Sequence, residues 1–534
     1  MPTSTVAARF RGMFMVRRFL PIIALALTGH GTSRLRVPHA DLLPPPPVTR
    51  EFRAAWATPI YDRGFRDWPS KPGLSPEEQR AELRTMLDKA AAAGLNAIIL
   101  HVRIAGDAMY PTSYAPWSAF LTGKQGAGPS PTYDPLAFAV TEAHARGLQL
   151  HAWFNPFRAA FPGAPSKVAA SHVTKTHPSW IRKYGTQTWI DPGDPAARAF
   201  VLETILDVAK RYDVDGIHLD DYFYPYREAR TVTRRVGRRR VRTRVDIAFP
   251  DDATWKKYGK AKGFTDRDAW RRANIDDFVE RLYTGVKAIR PAMVVGISPF
   301  GIWRPGSPPG ITGLDSYAEI YSDSKKWLGQ GWLDYLAPQL YWEVGSTEDR
   351  FRALDAWWQT VNPLERPIWP GLYTSHMFGG RDAWSRNAIN EQIMSIRETR
   401  IGSPDSPGEV HFRLAALWAD GGALAKDLSS GVYAQPALVP AFPWLGATVP
   451  APPVVTVVDA PGRSTFSAVA GDATHVRWWL IQIRARGGEW TTVLRPASRA
   501  QLDASEFGVQ NPDEIAVTSL SDTGIASTPT VVAP

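Results

Sequence analysis

Short apolar runs rich in β-branched and aromatic residues alternate with amphipathic stretches along most of the chain. The apolar runs predict strands at 52–58, 96–103, 148–156, 214–223, 293–301, 334–343, 367–373 and 410–418. Helical spacing of apolar residues is clearest at 75–94, 134–147, 194–212 and 268–290. Two of these helices end at glycines, Gly94 and Gly147, where a C-cap is expected.

Eight strands that alternate with helices indicate an α/β protein built as a (β/α)8 TIM barrel. The alternating region spans roughly 370 residues, which fits such a barrel with enlarged loops. An open doubly wound sheet is the alternative interpretation. The barrel is favoured because no glycine-rich phosphate loop follows the first strand.

The pattern changes after Pro453, where short alternating runs such as HVRWWLIQIRA and DEIAVTSLSD follow one another without a helix of note. About 80 residues of this kind predict a small β-sandwich of the fibronectin III or immunoglobulin-like type. A proline-rich stretch separates this module from the barrel. We therefore predict a barrel domain at 51–440, a linker at 441–453 and a β-sandwich module at 454–534.

The amino terminus has the order of a secretory signal: arginines, then the apolar stretch 19–27, then small or polar residues. We predict a signal peptide at 1–33, a proline-rich linker at 34–50, and a periplasmic, extracellular or cell-surface location. The apolar stretch is shorter than the roughly 20 residues of a membrane span, so the mature chain should have no transmembrane segment. An uncleaved amphipathic tail is the alternative. The chain has no cysteine, which excludes disulfides and thiol chemistry.

The net charge of +10 comes mostly from one segment, because residues 227–244 contain nine arginines and one glutamate. Alternating valines and threonines around Val236 and Gly237 predict a surface hairpin. The hairpin is either simply solvated or a clamp for an anionic polymer beside the active site. Since the excess charge is local, we expect no nucleic-acid partner.

Two predicted strands end in carboxylates. In the fourth strand, His218 and Asp220 share one face and Asp221 lies on the other, unless the strand has already turned. In the sixth strand, Gln339, Tyr341 and Glu343 share a face. Chemistry in a barrel collects at the carboxyl ends of the strands, so Asp220 and Glu343 are expected to meet across one cleft. Paired carboxylates are what glycoside hydrolysis needs.

Further polar and aromatic residues are expected to line this cleft and to bind substrate. From the second and third strands and their loops they are His101, Arg103, Asp107, His151, Trp153, Asn155 and Arg158. Tyr222, Trp303, Tyr341 and Trp342 offer flat surfaces for sugar rings. The histidines form no zinc-binding motif, and no phosphate loop or nucleophile elbow is present, so we predict no metal and no cofactor.

Several long runs resemble the glycosyl hydrolase-like 10 family. They are HVRIAGDAMYPTSYAPWSAFLTGKQG, YDPLAFAVTEAHARGLQLHAWFNPFRA, YDVDGIHLDDYFYPY, FPDDATWKKYG, WRRANIDDFV, GISPFGIWR and DYLAPQLYWE, within about 50–425. The resemblance implies a (β/α)8 glycosidase of bacterial envelopes, acting on peptidoglycan glycan strands. It also relates the barrel to α-galactosidase-like enzymes, in which the strand-four carboxylate is the nucleophile and the strand-six carboxylate the acid/base. The arginine-rich segment interrupts the family pattern, and the chain after Pro453 lies outside it.

The resulting hypothesis is an exported glycoside hydrolase acting on a cell-wall polysaccharide. Asp220 is the nucleophile or ionised stabiliser, Glu343 the acid/base, and Asp221 a modulator of their pKa values, although Asp221 could replace Asp220. In a second version an N-acetyl group of the substrate attacks and the Asp pair orients it. A non-catalytic glycan-binding or scaffold protein is the alternative from another class.

Overall fold

The computed structural model describes residues 44–163, 167–237, 239–345, 349–401, 407–460, 463–485, 487–499, 501–509 and 512–533. Eight parallel strands form one curled sheet: β1 (Phe52–Ala57), β2 (Ala97–Arg103), β3 (Gln149–Phe154), β4 (Gly216–Leu219), β5 (Val294–Ile297), β6 (Tyr335–Leu336), β7 (Gly371–Leu372) and β8 (Gly408–His411). Their order is β7-β8-β1-β2-β3-β4-β5-β6. Parallel bridges pair Leu336 with Ile368 and Gln339 with Gly371, which closes the sheet into the predicted (β/α)8 barrel.

A helix follows each barrel strand. The eight helices are Pro76–Ala92, Pro135–Ala145, Pro195–Arg211, Arg267–Ile289, Ser324–Gln330, Arg350–Thr360, Ala388–Thr399 and Ala423–Ser430. Ser75 caps the first in a capping box with Glu78, and Asp134 and Asp194 cap the next two, each ahead of a proline. Gly94 and Gly147 follow helix ends with φ of +86° and +73°, as the sequence predicted.

Large side chains fill the barrel interior. Phe52 stacks on Trp369 with ring centroids 4.0 Å apart, and Tyr335 lies 5.0 Å from the same indole. Gly296 of β5 makes room for this packing, because a β-carbon there would lie 1.9 Å from the Tyr335 ring. The interior is therefore a packed floor, above which a ligand can bind at the carboxyl ends of the strands.

Smaller elements occupy the loops. Helical turns are Ala119–Thr122, Val173–Thr176, Asp252–Thr254 and Ser316–Glu319, with single 3-10 or π turns at Pro178–Trp180, Trp255–Gly259, Lys260–Lys262, Thr374–Phe378, Gly380–Asp382, Leu414–Trp418 and Pro443–Leu445. After β3, the strands Arg158–Ala160, Ile181–Tyr184 and Gln187–Ile190 form a small antiparallel sheet. After β4, Ala229–Val236 and Arg239–Asp246 pair as an antiparallel hairpin in the arginine-rich segment.

The carboxyl-terminal module consists of two antiparallel sheets, which confirms the predicted β-domain. One sheet contains Val454–Ala460, Arg463–Val469 and Gln501–Asp503, and the other contains Val476–Arg484, Thr491–Pro496, Glu514–Ser521 and Thr530–Val532, with a 3-10 turn at Ala504–Phe507. Apolar side chains from both sheets, including Val457, Phe466, Ile481 and Val517, form a shared core.

The module packs against the amino ends of the barrel strands. Arg477 donates to Asp215, which immediately precedes β4, at 3.0 Å, and it also pairs with Asp213. Asp215 in turn contacts His144 at 2.9 Å. Active sites of such barrels lie at the opposite, carboxyl end of the strands, so the module does not contribute to the cavity described below.

The segments that we predicted as linkers make specific contacts where they are described. Thr49–Arg50 pairs in parallel with Ala437–Leu438, and Phe442 packs in the interior cluster with Phe52. The predicted signal peptide, 1–33, lies outside the described residues. Among the helices that the structure describes, none is both long enough and apolar enough to cross a membrane.

Candidate active site

A cavity of about 330 Å³ opens at the carboxyl ends of the barrel strands. Its wall combines aromatic rings with polar side chains from six of the strands and the loops that follow them: Trp56, Thr58, Ile60, Asp62, Trp153, Arg158, Phe161, Asp220, Asp221, Tyr222, Tyr226, Ser298, Gln339, Tyr341, Phe412 and Arg413. Apolar walls with a few convergent polar groups are typical of small-molecule and sugar sites. The predicted residues Trp153, Arg158, Tyr222, Gln339 and Tyr341 all line this cavity.

Asp220 and Asp221 both line the cavity, because β4 ends at Leu219 and the chain turns directly after it. Their side chains are buried, at 9% and 2% exposure. The Asp221 backbone N–H donates to Asp220 Oδ1 at 2.8 Å, and the Tyr226 hydroxyl donates to Asp221 Oδ2. Two carboxyl groups are thus held side by side at the base of the cavity.

Burial raises the pKa of both carboxyls, since the charged form loses water. The pKa of Asp221 lies well above its ordinary value, first because of burial and then because of the negative charge of Asp220. For Asp220 the rise in pKa is opposed by hydrogen bonds from Asp221 and by the Arg158 guanidinium. Burial and mutual repulsion therefore disfavour a doubly charged pair, and because the rise in pKa is larger for Asp221, Asp221 holds a proton more readily than Asp220 does.

Asn155 holds the Asp220 carboxyl group in place. The surrounding donors orient its amide so that the nitrogen donates to Asp220 Oδ2 at 3.1 Å while the oxygen accepts from Arg158 and from His101 Nε2. His101 is buried, stacks on Trp153 at 3.9 Å between ring centroids, and contacts the Thr58 hydroxyl through Nδ1 at 2.9 Å. Burial lowers the His101 pKa well below its ordinary value, so the ring is neutral and positions Asn155 rather than substrate.

A directed hydrogen-bond chain crosses the barrel beneath the cavity. The Trp56 indole can only donate, so His218 accepts through Nε2 at 3.1 Å. Burial lowers the pKa of His218 well below its ordinary value and that of His151 to about 4, so both rings are neutral. His218 Nδ1 then donates to the Tyr335 hydroxyl, and that hydroxyl donates to His151 Nδ1, each at 2.9 Å. His151 and His218 therefore support the floor instead of touching ligand.

Tyr335→Phe should lower the free energy of unfolding by about 3 kcal/mol, because it leaves one buried donor and one buried acceptor without a partner. Urea unfolding monitored by tryptophan fluorescence measures this loss. Tyr61→Phe is the matched control, since the Tyr61 side chain is 64% exposed, and it should leave the midpoint unchanged. Equal midpoints for Tyr335→Phe and the wild type would contradict the assigned chain.

Besides His101, Asn155, His151 and His218, four more predicted substrate-binding residues do not line the cavity: Arg103, Asp107, Trp303 and Trp342. Asp107 closes its own loop, accepting from the Ile104 and Ala105 N–H groups and from the Ser118 hydroxyl. The pairing register of β2 shifts between His101 and Arg103. Arg103 is buried, and its guanidinium interacts electrostatically with Tyr110 and Asp107. Trp303 stacks on Trp357, and Trp342 packs against the outer core.

Glu343 is also absent from the cavity wall. Regular pairing of β6 ends at Leu336, and a Trp342 N–H to Leu340 carbonyl bond turns the chain before residue 343. The half-buried Glu343 carboxylate instead accepts from the Ser385 N–H at 3.0 Å. We expect Asp220 and Glu343 to meet across one cleft, but among the described residues Asp220 lines the cavity wall and Glu343 does not.

Sequence reasoning missed the contributions of β1 and β8. Trp56 could have been found, because it shares the inward parity of Phe52 in the predicted first strand. Arg413 follows β8, where the run 410–418 predicts a continuous strand. This prediction is wrong beyond His411, because the structure has a 3-10 turn at Leu414–Trp418. Asp62 and Phe161 lie in loops with no periodic signal.

Comparisons with known proteins identify relatives of this chain. The chain is 37% identical over 422 residues to glycosyl hydrolase YngK of Bacillus subtilis, covering 77% of each chain. It is 32% identical over 387 residues to glycosyl hydrolase DigH of Escherichia coli, covering 67% of this chain and 82% of that protein. The PgaB (BpsB) glycoside hydrolase domain from Bordetella bronchiseptica aligns with 71% of this chain and 98% of its own at 14% identity and a TM-score of 0.43. The family model described as glycosyl hydrolase-like 10 matches residues 51–378. The chain therefore belongs to the glycosyl hydrolase-like 10 family, as its sequence motifs indicated.

Proposed function

We propose that this protein is an exported glycoside hydrolase that cleaves a cell-wall polysaccharide, with peptidoglycan glycan strands as the substrate class. The observation that carries the proposal is the buried, hydrogen-bonded Asp220–Asp221 pair in the wall of an aromatic-lined cavity. Family membership supports glycosidic chemistry, and the signal-like amino terminus supports export.

Glycosidic cleavage needs a proton for the leaving oxygen and negative charge for the sugar cation that develops. Asp221, with its raised pKa, is the proton source, and Asp220 supplies the negative charge. Tyr222, Trp153 and Tyr341 offer ring faces to the apolar faces of the sugar. Arg158 stacks 5.0 Å from the Tyr222 centroid and neutralises part of the charge of the pair.

The pair geometry favours attack by the substrate itself. Asp220 and Asp221 are consecutive and hydrogen-bonded, whereas a retaining two-carboxylate enzyme separates its groups by roughly 5 Å, across the scissile bond. In the substrate-assisted version, an N-acetyl group attacks the anomeric carbon and Asp220 orients it while Asp221 protonates the leaving oxygen. Trapping of a covalent glycosyl-enzyme on Asp220 would contradict this version.

Mass analysis of products from purified glycan strands tests the proposal. We expect oligosaccharides with new reducing ends from N-acetylated glycan and none from the same glycan after de-N-acetylation. Cleavage of both forms at equal rates would support hydrolysis but contradict attack by the N-acetyl group. Retention of glycan without any new reducing end would favour the non-catalytic binding protein instead.

The pH dependence of kcat/KM should report the Asp221 proton. A carboxyl with a raised pKa is protonated below that pKa, so activity is expected to fall as pH rises through it. The Tyr226 hydrogen bond lowers the pKa of Asp221, and Tyr226→Phe should therefore move this alkaline limb to higher pH. Stopped assays across the pH range give the limb for both proteins. A limb that stays in place or moves to lower pH in Tyr226→Phe would argue against Asp221 as the acid.

A further inference from the structure

We propose that the arginine-rich hairpin, residues 229–246, is a docking arm for an acidic polysaccharide. The arm would hold carboxylate or phosphate groups of the glycan while a neutral part of the same chain occupies the cavity. The inference deepens the proposed function and rests on it, because it places the cleaved glycan in that cavity.

The hairpin presents its arginines in two rows. Its strands pair in register from Arg239 opposite Val236 to Asp246 opposite Ala229, and directly opposed residues lie on the same face. One face therefore carries Arg235, Arg240, Arg242 and Arg244 together with Thr231 and Thr233, with Asp246 at its base. The other carries Arg230, Arg234 and Arg239 among valines and Thr243. Successive arginines on one strand face are about 6.8 Å apart, which is two residues of extended chain.

These arginines form no ion pair within the part of the chain that the structure describes. All seven arginines are exposed, and none of them has an ion-pair partner among those residues, whereas Arg227 at the base pairs with Asp246 and Glu319. Arg235 lies directly opposite Arg240, an arrangement of like charges that destabilises a strand pair. An isolated two-stranded hairpin is marginal to begin with. A bound polyanion would relieve this repulsion.

The base of the hairpin is fixed at the rim of the cavity. Tyr226 lines the cavity, and the first hairpin strand begins at Ala229. Glu228 is held on two sides: its N–H donates to the Tyr184 hydroxyl, and its carboxylate accepts from Thr186, both at 3.0 Å. An arm of eight residues extends about 27 Å from that anchor. A polymer that enters the cavity at one end is thus within reach of the arginine rows.

The cavity restricts what the polyanion can be. Three carboxyl groups, Asp62, Asp220 and Asp221, line it against two guanidinium groups, Arg158 and Arg413. The wall therefore offers phosphate or carboxylate no excess of positive charge, whereas a neutral sugar ring can lie on its aromatic side chains. Guanidinium groups bind carboxylate and phosphate in a bidentate manner, and threonine hydroxyls on the same face can bond sugar hydroxyls. A glycan with acidic substituents satisfies both surfaces, and a polynucleotide or an anionic membrane satisfies only the hairpin.

Binding measured in the Asp220→Asn background tests the arm without requiring hydrolysis. The hairpin variant is R235Q/R240Q/R242Q/R244Q, and the charge-matched control is K124Q/K175Q/K210Q/K426Q, which removes four exposed lysines elsewhere. The probes are fluorescent oligosaccharides of one backbone in carboxylated, phosphorylated and carboxyl-reduced neutral forms. Fluorescence anisotropy at 50 and 200 mM salt gives the dissociation constants.

We expect the hairpin variant to bind at least one of the two acidic glycans about tenfold more weakly at low salt and to lose most of its salt dependence. Binding of the neutral glycan, and all binding by the lysine control, should be unchanged. Which acidic probe responds identifies the group recognised. Equal losses for neutral and acidic probes, no loss at all, or tighter hairpin-dependent binding of single-stranded DNA or anionic vesicles would overturn the inference.

The outcome also separates this inference from the proposed hydrolase. If the hairpin is needed to bind acidic glycans but the wild-type enzyme releases no product, hydrolysis is rejected and the docking role of the hairpin is supported. Product release with no charge-dependent binding would reject the arm and retain hydrolysis.

Discussion

The Asp220→Asn variant should lose about 10³-fold in kcat/KM on glycan strands while keeping its fold. An amide cannot supply the negative charge that a developing sugar cation needs. It also disturbs the network, because Asn155 and the Asp221 N–H both donate to this side chain, and one of them would face the new NH2 group. Release of new reducing ends measures activity, and circular dichroism with thermal melting checks folding.

Glu343→Gln provides the matched comparison, since it makes the same carboxyl-to-amide change on the other predicted catalytic acid. Its contact with the Ser385 N–H survives the change, because glutamine keeps an acceptor oxygen. We therefore expect near wild-type turnover from Glu343→Gln. A loss of activity comparable to that of Asp220→Asn would support the sequence-based assignment of Glu343 as the acid/base. It would also show that the Asp220–Asp221 pair alone does not account for catalysis.

Side-chain parity predicts where a residue points only where strand pairing continues. Gly216–Leu219 pairs on both sides, so His218 points into the barrel and Leu219 into the outer core, as parity requires. Strand pairing ends after Leu219, and the chain turns between Leu340 and Trp342, so parity no longer decides where Asp221 or Glu343 points. In β2 the register shift before Arg103 has the same effect.

Residues that complete the cavity from loops carry no such pattern. The fold and most helix ends follow from local signals such as the Asp134-Pro135 and Asp194-Pro195 caps, which act over a few residues. By contrast, Thr58 and Arg413 are brought together by barrel closure over more than 350 positions of sequence, with a side-chain to carbonyl bond between them. Only the closed topology places such loops side by side.

Asp67→Ala should destabilise the protein by about 3–5 kcal/mol, because it leaves the Arg413 guanidinium buried without its counter-charge. Both side chains are 1% exposed, and Arg413 Nε lies 2.7 Å from Asp67 Oδ2. Asp67 also accepts from the Thr58 and Ala415 N–H groups at 2.9 and 2.6 Å. The pair therefore ties the loop after β1 to the loop after β8, and urea unfolding should show the loss as a lower midpoint.

Asp427→Ala is the surface comparison, since the Arg386–Asp427 pair is exposed and 3.5 Å long, and its loss should not move the midpoint measurably. Asp67→Asn should fall between the wild type and Asp67→Ala, because the amide keeps one acceptor but no charge. Arg413, Thr58 and Ile60 all line the cavity, so below its melting range Asp67→Ala should also show a raised KM. Equal stability of Asp67→Ala and Asp427→Ala would show that the two loops are held by packing alone.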